Sequence, residues 1–207
     1  MNNEIRNSLR EAYNTRAEER DKRAIQAWKL EERTKFLGLL QQEKKETLLE
    51  IGAGSGKDSA FFQEHRLQVL CTDLSSEMVK LCQAKGLDAR IMDFANLASL
   101  NNSFDAVYAL SCLLHLPKDE LPAVLASISS LLNPQGLFFM GVYGGYDFEG
   151  VWDEDVYRPK RFFSFYEDER IRNVVSEFFE IVLFKRIIIE EIASSGLHYQ
   201  TLILRKQ

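Results

Sequence analysis

From Thr47 onward the chain alternates compact apolar runs with segments whose apolar residues recur at helical spacing. The runs are Leu48–Ile51, Val69–Cys71, Ala89–Met92, Phe104–Leu110 and Gly136–Val142. Between and after them, residues 57–65, 75–84, 118–132 and 167–178 carry an amphipathic pattern of 3.6-residue period. Strand followed by helix, repeated, predicts a mostly parallel sheet with helices on both faces. Asp73 or Ser75 is placed to cap the second of these helices, and Asn133-Pro134-Gln135-Gly136 reads as a turn into the fifth strand. The pattern then changes. Residues Phe179–Ile189 and Leu197–Arg205 are β-rich and joined by the short stretch Ala193-Ser194-Ser195-Gly196, which predicts an antiparallel terminal hairpin. The expected architecture is α/β and doubly wound, with seven strands.

Residues Glu4–Gln42 precede the first strand and are densely charged, with intermittent apolar positions at Leu9, Tyr13, Ala17, Ala24, Trp28 and Phe36. They read as interrupted helices. The charge-rich run Arg16–Lys35 suggests a solvated helix face. At 207 residues, 45% hydrophobic and 28% charged, the chain suits one domain. Residues 1–42 form its helical N-terminal segment, and residues 47–207 its sheet core.

Net charge of −5 supplies no general attraction to nucleic acid or an anionic membrane, which favours a small-molecule partner. The three cysteines, Cys71, Cys82 and Cys112, have no metal-ligand spacing and suit a reducing compartment, and no metal is expected. The stretch from Met1 to Arg6 has no apolar signal core, and no run approaches the ~20 residues of a membrane span. The expectation is a soluble cytoplasmic protein, monomeric or weakly dimeric, without nucleic-acid or membrane partners.

The densest chemical signal is Glu50-Ile51-Gly52-Ala53-Gly54-Ser55-Gly56. Glycines at alternate positions after a buried strand let the backbone take positive φ and lie against a ligand, while the next helix offers free N–H donors. A P-loop needs G-x-x-x-x-G-K-[ST]. Ile51 stands where its first glycine would fall and Asp58 where its hydroxyl belongs, so ATP or GTP hydrolysis is rejected. The dinucleotide fingerprint G-x-G-x-x-G is weakened by Lys57 at its third glycine. Asp73 ends the second strand about 20 residues after the glycine turn, where a carboxylate accepts bonds from a ribose diol.

Together with Asp93-Phe94 after the third strand and Ala109-Leu110-Ser111 at the end of the fourth, this order resembles the class I S-adenosylmethionine-dependent methyltransferases, especially small bacterial members with a Leu-His-Leu-Pro turn. The resemblance implies a Rossmann-like sheet and S-adenosylmethionine as cofactor. Its acid near the loop, Glu50, suits a sulfonium ligand where a pyrophosphate would be repelled. It implies cofactor contacts from Tyr13, Glu50, Gly52, Ala53, Gly54, Gly56, Asp73, Leu74, Met78, Asp93, Phe94, Ala109, Leu110 and Ser111. Asp93 would bond the adenine amino group beside Phe94. The N-terminal segment would lie across the cofactor mouth, with a helix merely packed on the sheet edge as the alternative.

A sulfonium methyl is already electrophilic, so the protein must align a nucleophile, exclude water and accept a proton if one is present. His115, after the fourth strand at the carboxyl edge, is the candidate base; the other reading is a histidine that packs the turn. Tyr143, Arg158, Arg161, His198 and His115 are candidate substrate contacts. The two arginines have a plainer alternative, pairing with Asp153, Glu154 and Asp155 to order a loop. No Asn-Pro-Pro-Tyr-like signature or catalytic Pro-Cys pair appears, which disfavours nucleic-acid methylation. An NAD-linked oxidoreductase and a cofactor-binding subunit without turnover remain open.

Overall fold

The computed structural model describes residues 3–101, 103–193 and 195–207. Met1 and Asn2, and Ser194 of the expected hairpin connection, lie outside the described residues. Among the described residues, nine strands run in chain order: β1 (Thr47–Ile51), β2 (Gln68–Asp73), β3 (Asp88–Ile91), β4 (Phe104–Leu110), β5 (Leu132–Gly144), β6 (Phe148–Val151), β7 (Phe162–Phe165), β8 (Glu180–Ile187) and β9 (His198–Arg205). Seven of them form one sheet in the order β3-β2-β1-β4-β5-β9-β8. β9 runs antiparallel to both β5 and β8, and the pairs among β1 to β5 are parallel.

The helices are α1 (Asn3–Thr15), α2 (Ala17–Lys22), α3 (Ala27–Gln42), α4 (Lys57–Glu64), α5 (Ser76–Ala84), α6 (Leu121–Leu131), α7 (Asp168–Ser176) and the single turn α8 (Glu190–Ala193). Successive strand residues point to opposite faces, and both faces are covered. Leu49, Val107 and Phe138 pack with Leu125 and Ile128 of α6 on one side. Their neighbours Leu48, Tyr108 and Phe139 pack with Phe36 of α3 and Phe62 of α4 on the other. Tyr108 stacks on Phe139 at a centroid distance of 4.7 Å. The capping expectation holds at Ser75, whose Oγ accepts the Met78 N–H at 3.2 Å.

Two local expectations change. The stretch Asn133 to Gly136 is a bulge inside β5 rather than a separate turn: pairing with β4 jumps from Phe104↔Leu132 to Ala106↔Leu137, and Gln135 takes a φ of 59°. The segment after β5, read as loop, contains the antiparallel pair β6–β7. Each strand is only four residues long and β6 is interrupted by Gly150, which hid the period.

Chain order places the site. From β1 the sheet grows outward through β2 on one side and β4 on the other, so the carboxyl ends of β1 and β4 flank a topological switch point, where open α/β sheets bind ligands. The N-terminal helices close over this edge. Asn14 Oδ1 accepts from Ser75 Oγ at 2.6 Å, Lys57 Nζ donates to the carbonyls of Arg20 and Arg23, and Arg16 Nη2 donates to the Val156 carbonyl at 3.0 Å.

Candidate active site

Two adjoining cavities open at the switch point, of about 420 Å³ and about 270 Å³. The larger is walled by the glycine turn, the ends of β2 and β4, and the N-terminal helices. All three glycines of the turn have positive φ, but for different reasons. A Cβ on Gly52 would meet Cys112 Cβ at 2.4 Å, and one on Gly56 would meet Leu87 Cδ1 at 2.6 Å, so both are packing positions. Gly54, at φ +57°, has nothing within 4 Å of such a Cβ. Its bare backbone therefore faces the cavity, as a ligand cradle requires.

Four carboxylates line this chamber: Glu50, Asp58, Asp73 and Asp93. Asp73 Oδ2 accepts the Gly54 N–H and Oδ1 the Ser75 N–H, both at 2.8 Å, which ties the acid to the loop. Burial pushes its pKa up to about 6, against the pull of those two N–H bonds. Glu50, buried among strands, accepts the Ser59 hydroxyl, and burial with Asp58 nearby raises its pKa well above the carboxylate range. Asp58 pairs with Arg33 at 2.7 Å. Asp93 Oδ1 accepts the Ala95 N–H at 3.0 Å, and Oδ2 pairs with Arg6 of α1.

The smaller chamber is lined mainly by the segment from β6 to β7 and by the N-terminal helices, with Trp152, Tyr157, Phe163 and Phe165 among its aromatic walls. Among the described residues it has no carboxylate in its lining, but Arg20, Arg23, Lys29 and Arg161 all reach it. Tyr13, Arg20, Arg23, Lys29, Ser111 and His115 line both chambers and mark their junction. Ser111 takes the left-handed φ of 58° at the end of β4, and its hydroxyl bonds to Tyr199 Oη at 2.7 Å. Such strain in a non-glycine residue concentrates at functional positions.

His115 is buried, and its ring is fixed at both nitrogens. Nδ1 donates to the Phe162 carbonyl at 2.7 Å, so Nε2 is the acceptor for the Tyr13 hydroxyl, also at 2.7 Å. Tyr13 Oη in turn accepts from Arg161 Nη1 at 3.0 Å, while Arg161 Nη2 donates to Asp155 Oδ1 at 2.7 Å. Burial, with Arg161 adding to it, pulls the His115 pKa down to about 3. The imidazole is neutral, with a small appetite for a proton.

The structure gathers Tyr13, Glu50, Gly52, Gly54, Asp73, Leu74, Asp93, Phe94, Leu110, Ser111 and His115 on the larger chamber. Ala53, Gly56, Met78 and Ala109 stand behind that wall: Met78 and Ala109 are fully buried in the core. Tyr143 and Arg161 line the smaller chamber. Arg158 and His198 line neither. Arg158 Nη1 donates to the carbonyls of Asp155 and Tyr157, ordering its own loop, and His198 Nε2 pairs with Asp168 at 2.7 Å. The charged run Arg16–Lys35 is not simply a solvated face, since Arg20 and Lys29 turn inward and the exposed Arg23 reaches the cavity rim. The i, i+3 spacing of Arg20 and Arg23 was the available signal for a shared face.

Residues 49–138 match a family model described as a methyltransferase domain. A ubiquinone biosynthesis O-methyltransferase of Xanthomonas oryzae is 32% identical over 100 residues, 45% of this chain and 41% of that relative, so the chain spans about two fifths of the relative's length. Among solved structures, 1,6-didemethyltoxoflavin-N1-methyltransferase of Burkholderia thailandensis, with its acceptor and S-adenosylhomocysteine bound, superposes with a TM-score of 0.71 at 23% identity, covering 99% of this chain and 89% of that one. Magnesium protoporphyrin IX methyltransferase of Synechocystis with bound S-adenosylhomocysteine superposes at 0.72, with 15% identity over 98% of this chain and 100% of that one. Residues 49–138 thus resemble a methyltransferase domain, and the chain that carries them has the fold of the S-adenosylmethionine-dependent class I methyltransferases.

Proposed function

We propose that the chain transfers a methyl group from S-adenosylmethionine to a small molecule, with the cofactor in the larger chamber and the acceptor in the smaller. The observation that carries this reading is the Gly54 cradle, open to the chamber and tied by its own N–H to Asp73. Asp73 retains lone pairs for a ribose diol, Leu74 and Phe94 offer apolar flanks, and Asp93 would take the adenine amino group in exchange for Arg6. A ligand with a cationic sulfur and an ammonium group would favour the ionised forms of Glu50 and Asp58, which burial disfavours. When bound, S-adenosylmethionine supplies an electrophilic methyl carbon.

The chain's own contribution is alignment and exclusion of water. Tyr13, Ser111 and His115 stand where the two chambers join, beside the path of the methyl group. Helices α1 and α2 roof the site, and we read them as a cover that opens for cofactor exchange. The chain should be incubated with S-adenosylmethionine and a metabolite panel, and products read by mass spectrometry. One metabolite gaining a single methyl group is the expected result. Cofactor binding without any methylated product would leave a binding subunit, and absence of cofactor binding would overturn the reading altogether.

A further inference from the structure

The junction between the chambers is cationic, while the space beyond it is aromatic. Arg20, Arg23 and Lys29 line both chambers, and the acceptor chamber has no carboxylate in its described lining. Three of its four cations have partners that fix them: Arg23 pairs with Glu19, Arg161 with Asp155, and Arg20 donates to Tyr157 Oη at 2.7 Å. The Lys29 ammonium lies over the Trp28 ring, 5.2 Å from its centroid, and the carboxylate acting on it is Asp58. Burial and Arg20 together pull its pKa down to about 8, the mark of a cation short of countercharge. His115, which lines the same junction, is neutral and a weak base.

Resting on the methyl-transfer reading above, we propose that the acceptor is a planar aromatic bearing an acidic O–H or N–H, bound as its anion at the chamber junction with Lys29 as its principal counter-ion. Its ring lies among Trp152, Tyr157 and Phe163, where flat surfaces stack and arginine planes add cation–π attraction. The acceptor's proton leaves to solvent on binding, because the surrounding cations favour the ionised form. In the transfer step the acceptor's lone pair forms the new O–C or N–C bond while the carbon–sulfur bond breaks and its electron pair stays on sulfur. No proton moves in that step. This accounts for a site whose one histidine is held neutral by burial: an acceptor that arrives ionised needs no strong base.

The test uses 4-nitrophenol and 7-hydroxycoumarin, whose phenol and phenolate absorb differently, with the whole chain saturated by S-adenosylhomocysteine. Saturation is measured first, since failure there overturns the methyl-transfer reading rather than this one. The bound phenols should titrate at least about one pKa unit below the free ones, a tenfold preference for the anion. Lys29→Met should return that titration at least half-way to the free value. Lys29→Gln serves if the first variant does not fold, and Arg158→Ala, outside both chambers, should leave the titration where it was. Phenols bound with unchanged or raised pKa, wild-type values retained in Lys29→Met, or no binding of either phenol to the loaded protein would each overturn the proposal.

Discussion

The two chambers are built on opposite principles. The larger is acidic and backbone-lined, held by the ends of β1, β2 and β4, with Asp73 bonded directly to the glycine turn. The smaller is aromatic and cationic, and it comes from segments far apart in sequence: α2, α3, and the β6–β7 excursion. One chamber is fixed by the sheet and the other by additions to it. Chemistry common to a fold therefore sits on strands, and chemistry peculiar to one chain sits on what the strands carry.

The sharpest contrast lies within the turn itself. Gly54→Val is expected to abolish measurable S-adenosylhomocysteine binding by filling the cradle, with a stability loss near the ~1–2 kcal/mol of a left-handed non-glycine residue. Gly52→Ala should instead unfold more easily, adding ~1–3 kcal/mol of overpacking against Cys112 to the same backbone cost. Calorimetry and thermal denaturation of the pair separate cradle from packing. Equal effects of both on binding and stability would erase the distinction.

Asp73→Ala tests the link between turn and chamber. Loss of charge-assisted bonds worth roughly 1.5–3 kcal/mol should weaken S-adenosylhomocysteine by about ten- to a hundredfold. The wild-type affinity should also fall as pH drops through about 6, because protonation removes the acceptor form of Asp73. Without ligand the sign reverses. Asp73 binds its proton more tightly in the folded chain than in the unfolded one, where aspartate titrates near 4, so ionising it costs stability between about pH 4 and 6.

On the acceptor side, His115→Ala should slow transfer by about tenfold or less, against the ~10²–10⁴ that a general base contributes. A larger loss, with a rate that titrates near neutrality, would restore His115 as the base. Its folded pKa of about 3 has a second consequence. The unfolded chain takes up this proton below about 6.5 and the folded chain does not, so the neutral histidine makes the fold lose stability as pH falls through that range. His115→Gln should flatten that limb in pH-dependent denaturation. The smallest effect belongs to Arg158→Ala, expected within twofold of wild type in acceptor affinity.

The sheet was legible because strands buried on both faces read as apolar runs ending in acids, as at Leu48–Glu50 and Val69–Asp73. The cofactor chamber followed, since Gly54 and Asp73 face each other across adjacent parallel strand ends and their sequence spacing encodes that geometry. Met78 and Ala109 do not line it, because helix and strand periodicity turns them into the core. The smaller chamber was largely illegible. The spacing of Arg20 and Arg23 hints at a shared face, but which face turns inward depends on how α1–α3 pack over a sheet encoded later in the chain. Arg161 lines the smaller chamber and His198 does not, and only tertiary contacts show that one meets Tyr13 and the other Asp168.

The most direct measurement is a parallel calorimetric titration of the chain with S-adenosylhomocysteine and with NAD. Saturable one-site binding of S-adenosylhomocysteine, weakened in Asp73→Ala, with no heat from NAD, is the result expected of an acidic chamber around a bare Gly54 backbone. Saturable binding of NAD with none of S-adenosylhomocysteine would contradict it.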